Sequence, residues 1–455
     1  MAKARRLRVR DPVHGFISYG PEEQDLLDSR PLQRLRGIRQ LALTSFVYPG
    51  ATHTRFEHSL GAMHVAGRVA DHLQLPPGER RLIRLAALLH DIGHFPLSHA
   101  GESAAVALTP RLAGLAEEAH EVMTAALIEH DPDIAAVLKK QNDRLAILDI
   151  LEKGRRRRRG KGPKPLLFEA ISGPLDSDKL DYLPRDSLMA GVKYGVFDVD
   201  RVIDSFQEHS SAEEHHLAVR KEDVRCVEQA VLARYYITEQ VYRHRIRRIT
   251  DAMLREALIS TAQIGRSPGP EIASVFRCRP QSKAYLSRFL EHDDATLLSL
   301  LAQLPERTRA GRLAHRLLSR RLLKQVFECT IDGIPSTVWR ERLLIDRPMQ
   351  TRLAERIAVA LDMDRNLVLL DVREQKNPLH RDSYQPLEED ILVVDENGSD
   401  ERLGEIEGGL SDAAKVKPEA SVCVYAPADG ATQARRRAMA ASVRRVIVQA
   451  VEEGR

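Results

Sequence analysis

Leu82-Ile83-Arg84-Leu85-Ala86-Ala87-Leu88-Leu89-His90-Asp91-Ile92-Gly93-His94 is the stretch whose reading decides the fold. Its apolar half has helical character and leads straight into an adjacent histidine and aspartate. Ionisable side chains emerging from a buried helix need partners or a metal, because an isolated buried charge is strongly disfavoured. Neighbouring side chains on a helix diverge by roughly 100°, so both can reach one ion only where the helix ends and the backbone turns. Gly93 supplies a break there. His94 and His99 follow, and His58 stands upstream in Thr54-Arg55-Phe56-Glu57-His58-Ser59. Imidazole with carboxylate suits a borderline or hard divalent metal, whereas a soft-metal site needs thiolates. Taken alone, a His-Asp pair is also a common surface or capping feature.

The rest of the composition sets limits. At 455 residues the chain is long enough for one large domain with an appended second, or for two to three domains. A formal net charge of +4 decides little about partners. Cys226, Cys278, Cys329 and Cys423 are scattered without CxxC spacing, which argues against a disulfide framework or zinc knuckle and fits a reducing compartment. No apolar stretch approaches the roughly 20 residues of a membrane span. The basic start, Met1-Ala2-Lys3-Ala4-Arg5-Arg6, lacks the apolar core of a signal peptide. A soluble, cytoplasmic protein is expected.

Helical periodicity dominates the first two thirds, in the stretches Leu60 to Leu73, Arg80 to His90 and Val224 to Ser260. Another amphipathic segment, Ala119 to Glu129, runs into the stop signal Asp131-Pro132. Between Lys153 and Pro165 the run Arg155–Arg159 and its Gly, Lys and Pro neighbours cannot build a packed element, so an exposed loop is expected. Beyond about residue 265 the character shifts. An arginine-rich helix is expected from Leu313 to Phe327, then short strands at Leu367–Leu370, Ile391–Val394 and Val422–Tyr425, with Asp395-Glu396-Asn397-Gly398 as a turn. The stretch Gly404 to Pro418 reads as loose, and a last helix as Thr432 to Glu453. The expected fold class is mainly α: an all-helical core over residues 1–265 and a smaller α+β C-terminal lobe over 266–455.

The motifs, taken in order, resemble the HD phosphohydrolase superfamily, and most of all its deoxynucleoside triphosphate (dNTP) triphosphohydrolase branch, which contains the sterile-alpha-motif/HD enzymes. They are Asp11-Pro12-Val13-His14-Gly15, Gln33-Arg34-Leu35-Arg36, Pro49 through Gly61, His90 through His99, and Asp178-Lys179-Leu180-Asp181-Tyr182-Leu183-Pro184-Arg185-Asp186. The resemblance covers about the first 250 residues, and the sterile-alpha-motif domain has no counterpart. It implies an HD-domain core and four metal ligands, His58, His90, Asp91 and Asp178. Without it, Asp178 reads equally well as a helix N-cap. Manganese, iron, magnesium and zinc all fit two imidazoles and two carboxylates.

By the same resemblance His94, His99 and His120 lie at the α-phosphate, with His99 donating a proton to the leaving oxygen and His120 orienting that chemistry with Glu102. Glu102 departs from the pattern, since close relatives have aspartate there. Arg55, Lys179, Arg234 and Tyr242 match phosphate-binding positions. Helical spacing would put Arg234, Tyr242 and Arg245 roughly on one side of a helix, although such an arginine-rich helix can also be simply solvated. Gln40 and Asp186 match residues that bond the sugar 3′-hydroxyl, Tyr182 an aromatic beneath the sugar, and Leu41 a bulky residue that excludes a 2′-hydroxyl; Leu41 can equally be plain core. Asp28, Gln33 and Arg36 match residues that read guanine in an activating site, or else form a structural segment, and the upstream phosphate contacts do not align at Leu7 and Arg8.

The implied reaction is metal-dependent hydrolysis of a dNTP to deoxynucleoside and tripolyphosphate by a dimer or tetramer. A phosphomonoester, an alarmone or a nucleic acid handled by the same metal site is the alternative substrate. A nucleic-acid-binding role for Arg155–Arg159 is the alternative of another class; that run carries no aromatic to stack on bases.

Overall fold

The computed structural model describes residues 7–112, 118–152, 164–211, 214–375, 391–406 and 419–453. The Arg155–Arg159 run, and most of the stretch expected to be loose near the C-terminus, lie outside the described residues.

An antiparallel hairpin of β1 (Leu7–Asp11) and β2 (Gly15–Tyr19) precedes two short helices, α1 (Pro21–Leu27) and α2 (Arg30–Arg34). Next comes α3 (Arg55–His72), opened by a capping box in which Thr54 and Glu57 satisfy each other's backbone N–H groups. Leu60, Met63, Val65, Ala66 and Val69 are all buried, so α3 is enclosed on nearly every side and works as the central helix. Against it pack α4 (Pro77–Leu89) and, after α5 (Ser98–Leu108), α6 (Ala119–His130), α7 (Pro132–Val137), α8 (Gln141–Leu151) and α9 (Pro165–Ser172), the helix α10 (Ser177–Ala190). Then follow α11 (Val199–Asp204), the hairpin β3 (Phe206–Ser211) and β4 (Glu214–Arg220), and α12 (Val224–Ile237). Farther on are β5 (Lys324–Thr330), β6 (Leu369–Gln375), β7 (Leu392–Val394), β8 (Asp400–Arg402) and β9 (Glu419–Ala426). The mainly helical class agrees with the expectation, whereas the β1–β2 and β3–β4 hairpins fall in the stretch expected to be all-helical.

Two compact units result. One takes Met1–Tyr242, Val275–Leu297 and Gln385–Ala413; the other takes Arg243–Ser274, Leu298–Tyr384 and Ala414–Arg455. The division is thus not a single cut near residue 265. Apolar burial explains part of the return: Phe276 and Phe289 pack on Phe95, with ring centroids 6.3 and 5.4 Å apart. Strand pairing explains the rest, since β7 runs parallel to β4 in a sheet of order β3-β4-β7-β8. In the second unit β5-β9-β6 form an antiparallel sheet, and Phe327, Trp339, Leu353, Ile357, Val424 and Val443 share its core.

Two sequence expectations need correction. The continuous helix from Val224 to Ser260 is interrupted: α12 ends at Ile237, a π-helical turn covers Thr238–Tyr242, and a new helix starts at Arg245 with the His244 ring capping Ile246 N–H. Arg234, Tyr242 and Arg245 therefore do not line one helix face. The arginine-rich helix ends at Leu318, and Lys324–Thr330 is strand, because its backbone pairs with β9. All four cysteines are free. Among the described residues no helix is long and apolar enough to cross a membrane.

Candidate active site

The enclosed helix α3 carries His58 one turn inside its capped start, and His90 caps the C-terminal end of α4. Asp176 caps α10, accepting Lys179 N–H, so Asp178 falls in that helix's first turn and is not the cap. These three helix ends converge. His58 Nε2 lies 2.8 Å from Asp178 Oδ1 and 3.2 Å from His90 Nε2, and His90 Nε2 lies 3.7 Å from Asp178 Oδ1. The other ring nitrogens are already engaged. His90 Nδ1 donates to the Ala87 carbonyl at 2.7 Å, and His58 Nδ1 donates to Asp181 at 2.8 Å. A carbonyl can only accept, so a neutral His90 keeps its lone pair on Nε2, toward the group.

Asp91 sits at the seam with a second group. Its Oδ1 is 3.3 Å from His90 Nε2 and 3.2 Å from His94 Nε2, while its Oδ2 accepts from Arg55 Nη1 at 2.7 Å. Burial works against its charge, yet His90, Arg55 and His94 hold this carboxyl well below the usual carboxylate range. Burial would also lower His58, but Asp178 and Asp181 outweigh it and lift the ring to about 10. The carboxylates thus stabilise positive charge where these nitrogens point, as they would for a cation. The donor atoms of His58, His90 and Asp178 lie within 4.8 Å of one another, so imidazole and carboxylate donors fit a divalent metal.

Gly93 has a different part from the expected helix break. A Cβ there would lie 2.2 Å from Thr124 N and 2.3 Å from the His120 carbonyl, so glycine lets α6 come close. That approach stacks His120 on His94, ring centroids 4.0 Å apart and planes at 14°. Glu102 Oε1 accepts from the His120 ring at 2.8 Å and from its backbone N–H at 2.9 Å; Oε2 lies 3.4 Å from His99 Nδ1. Glu102 is buried, which alone would raise its pKa, but His120 and His99 keep it far below the carboxylate range. Burial and Arg55 push His94 well down. His99, its side chain 58% exposed, faces solvent at the mouth of this group.

Of the expected sugar and phosphate residues, several meet. Asp186 accepts from His53 Nε2 at 2.7 Å and from the Tyr242 hydroxyl at 2.5 Å. Tyr182 stands between that pair and the metal group, 6.4 Å from the Tyr242 ring and 6.3 Å from His58. Gln40 is buried, its backbone bonded to His53, and its side-chain Oε1 has no partner among the described residues. Leu41 belongs to the core cluster that includes Leu180 and Leu183. Lys179 is turned onto Asp176 at 2.6 Å and the Gly173 carbonyl at 2.9 Å. Arg234 lies in the last turn of α12. Arg36 donates to Gln33 Oε1 at 2.9 Å and covers Phe56, whereas Asp28 is exposed at the end of α1 and accepts from Gln24.

Asp181 carries a role the sequence reading left unassigned. It accepts from His58, from His14 Nε2 at 2.6 Å and twice from Arg185, which also reaches Asp11 at 2.8 Å. The signal was present in Asp11, His14, Asp181 and Arg185 of the quoted motifs: a metal-ligating histidine gives its far N–H to a carboxylate, carbonyl or water, and Asp181 stands three residues from Asp178.

Helix ends that bring imidazoles and carboxylates to one point define a helical metal-binding domain of the histidine–aspartate type. The chain belongs to the HD-domain family: the HD domain pattern matches residues 55–189 and the HD associated region matches residues 197–443. Its metal group is accordingly that of a metal-dependent family. A Methanocaldococcus jannaschii protein of uncharacterized function is 34% identical over 56% of this chain and 50% of its own length. A deoxynucleoside triphosphate triphosphohydrolase SAMHD1 homolog from Dictyostelium discoideum is 28% identical over 56% of this chain and 49% of its own. The chain thus spans about half the length of the curated relatives it matches. The solved structure of a hypothetical protein from Aquifex aeolicus superposes with a TM-score of 0.68 at 26% identity, covering 97% of this chain and 100% of that one.

Proposed function

We propose that this chain is a metal-dependent phosphohydrolase that cuts dNTPs into deoxynucleoside and tripolyphosphate. The observation that carries the reading is Asp91, one carboxylate shared between a cation-binding group and a histidine–glutamate proton-transfer group. His58, His90, Asp91 and Asp178 would hold a divalent cation, which would activate water near neutral pH and neutralise phosphoryl charge. As the water oxygen adds to the α-phosphorus and releases a proton to solvent, the bond to the sugar 5′-oxygen breaks and His99 gives that oxygen its proton. His120, fixed by Glu102, and His94 hold the α-phosphate side of the reaction. Arg55, Lys179 and Arg234 receive the phosphate chain.

Support for a nucleoside substrate comes from the Asp186, His53 and Tyr242 group, with the Gln40 oxygen, which has no partner among the described residues, available to a sugar hydroxyl. Leu41 is read as the bulk that would exclude a 2′-hydroxyl, and the Dictyostelium relative is named for this reaction. We take the working form to be a dimer or tetramer, with Asp28, Gln33 and Arg36 as the place a guanine nucleotide would activate it. The test is incubation with each dNTP and NTP in manganese, resolving products by ion exchange, beside a His90→Ala/Asp91→Ala variant. Tripolyphosphate from dNTPs alone, absent in the variant and raised by added GTP, is expected. No tripolyphosphate from any nucleotide would sink the reading.

A further inference from the structure

The turn that leads into α5 is held in a conformation its own residues do not favour. Leu97 (φ 65°, ψ 21°) and Ser98 (φ 50°) both lie in the left-handed region. L side chains keep such a conformation only where the surroundings over-determine it. Here the surroundings come from far along the chain. Asp294 Oδ1 accepts Leu97 N–H at 2.6 Å, and its Oδ2 accepts Arg39 N–H at 3.0 Å. Ser98 Oγ closes the knot by donating to the Arg39 carbonyl at 2.6 Å, and receives Arg55 Nε at 3.2 Å. On the other side Arg34 donates from Nη1 to the His94 carbonyl at 2.9 Å and from Nε to the His292 carbonyl at 2.8 Å. Its guanidinium lies 4.2 Å from the Phe289 ring centroid. Both Arg34 and Asp294 are buried.

This turn spans the chain between His94 and His99, and α5 then carries His99 as its second residue and Glu102 as its fifth. We propose that Asp294 is a positioning residue for proton transfer, setting the entry of α5 so that His99 and Glu102 meet His120 and His94. The proposal rests on the function proposed above. Asp294 touches neither group directly; both its oxygens are engaged by backbone N–H groups. Holding both N–H groups at once takes two acceptors in one rigid group. An amide offers only one, and would turn an N–H against a backbone N–H.

The experiment compares wild type, Asp294→Asn and Arg34→Lys on dTTP and on its analogue with sulfur in place of the 5′-oxygen, a leaving group that departs without a proton. Asp294→Asn is expected to lose about 10- to 100-fold in kcat on dTTP, the order seen when catalytic groups are misplaced by about 1 Å. KM should stay within about twofold, and the sulfur analogue should lose less than about threefold. Bound manganese per chain should not change. Arg34→Lys, which keeps charge but loses the guanidinium fork, should show a smaller loss of the same pattern. Equal losses on both substrates, an unchanged kcat, or a matching loss of manganese would show that Asp294 merely holds the fold. Failure of the functional reading is distinguishable, because wild type would then release no tripolyphosphate. In that case amide exchange at Leu97 and the ring nitrogen shifts of His99 decide the positioning claim: both altered in Asp294→Asn supports it, both unchanged overturns it.

Discussion

At the scale of single residues, Asp181 shows how a site depends on what stands behind its ligands. It orients His58, and it is itself held by His14 and Arg185. Losing such a partner typically weakens metal binding about 10- to 100-fold, so titration calorimetry with manganese should show a loss of that order for Asp181→Asn. Gly61 gives an independent route to the same effect. A Cβ at this position of α3 would lie 1.8 Å from Asp181 Oδ1 and 2.4 Å from Arg185 Nη2. Gly61→Ala should therefore weaken manganese binding although it alters no ligand, and unchanged affinity in both variants would show that His58 needs no such support. His64 makes a separate prediction about stability. Burial, helped by the charges of His14, Arg68 and Arg84, lowers its pKa to about 4. The unfolded chain takes up this proton near the ordinary value of 6.5, so between the two values the unfolded state binds more protons. Stability is therefore complete above about 6.5 and falls as pH drops toward 4, by about 1–2 kcal/mol once the partial exposure of the ring is discounted. Urea denaturation at pH 7 and pH 5 should show a steeper loss for wild type than for His64→Gln; equal losses would show that His64 does not carry it.

Elements were legible where one helix carries its own signals, and illegible where a distant group sets their ends. Periodicity over Leu60–Leu73 and the apolar run before His90 marked α3 and α4, whereas the capping pair Thr54 and Glu57 and the Asp176 cap, which set where α3 and α10 begin, show only in the structure. The stretch from Val224 to Ser260 has no Pro or Gly to announce its interruption. Its break depends on the His244 cap and on the bond from the Tyr242 hydroxyl to Asp186, a residue 56 positions away in sequence. The π-helical turn thus serves to aim Tyr242, since a regular continuation would have carried its hydroxyl elsewhere. Hydrogen bonds to a charged group contribute about 1.5–3 kcal/mol. Tyr242→Phe should accordingly reduce kcat/KM for dNTPs about 10- to 100-fold while leaving manganese affinity intact. A variant with wild-type kcat/KM would remove Tyr242 and Asp186 from substrate recognition.

For the whole molecule, periodicity and composition showed which segments fold but not which segments belong together. The shift in character near residue 265 suggested an independent helical core before it, whereas Val275–Leu297 and the strands β7 and β8 return to that unit. Nothing local could show this, because the partners lie far apart: Phe95 meets Phe276 and Phe289, Leu97 meets Asp294, and Val219 pairs with Val393. A chain cut after residue 265 keeps every metal ligand and every expected substrate residue, so by its motifs alone it should fold and bind. The structure predicts otherwise. Phe276, Phe289 and Val393 are all fully buried, and each such side chain contributes about 1.5–3 kcal/mol. With the Asp294 carboxylate also gone, the loss comes to roughly 5–10 kcal/mol, comparable with the whole stability of an ordinary domain. Residues 1–265 expressed alone should show no cooperative thermal transition by circular dichroism and no stoichiometric manganese binding, while the full chain shows both. A cooperative transition near that of the full chain would mean that the returning segments decorate the first unit and do not complete it, and that the turn before α5 keeps its left-handed residues by local forces alone.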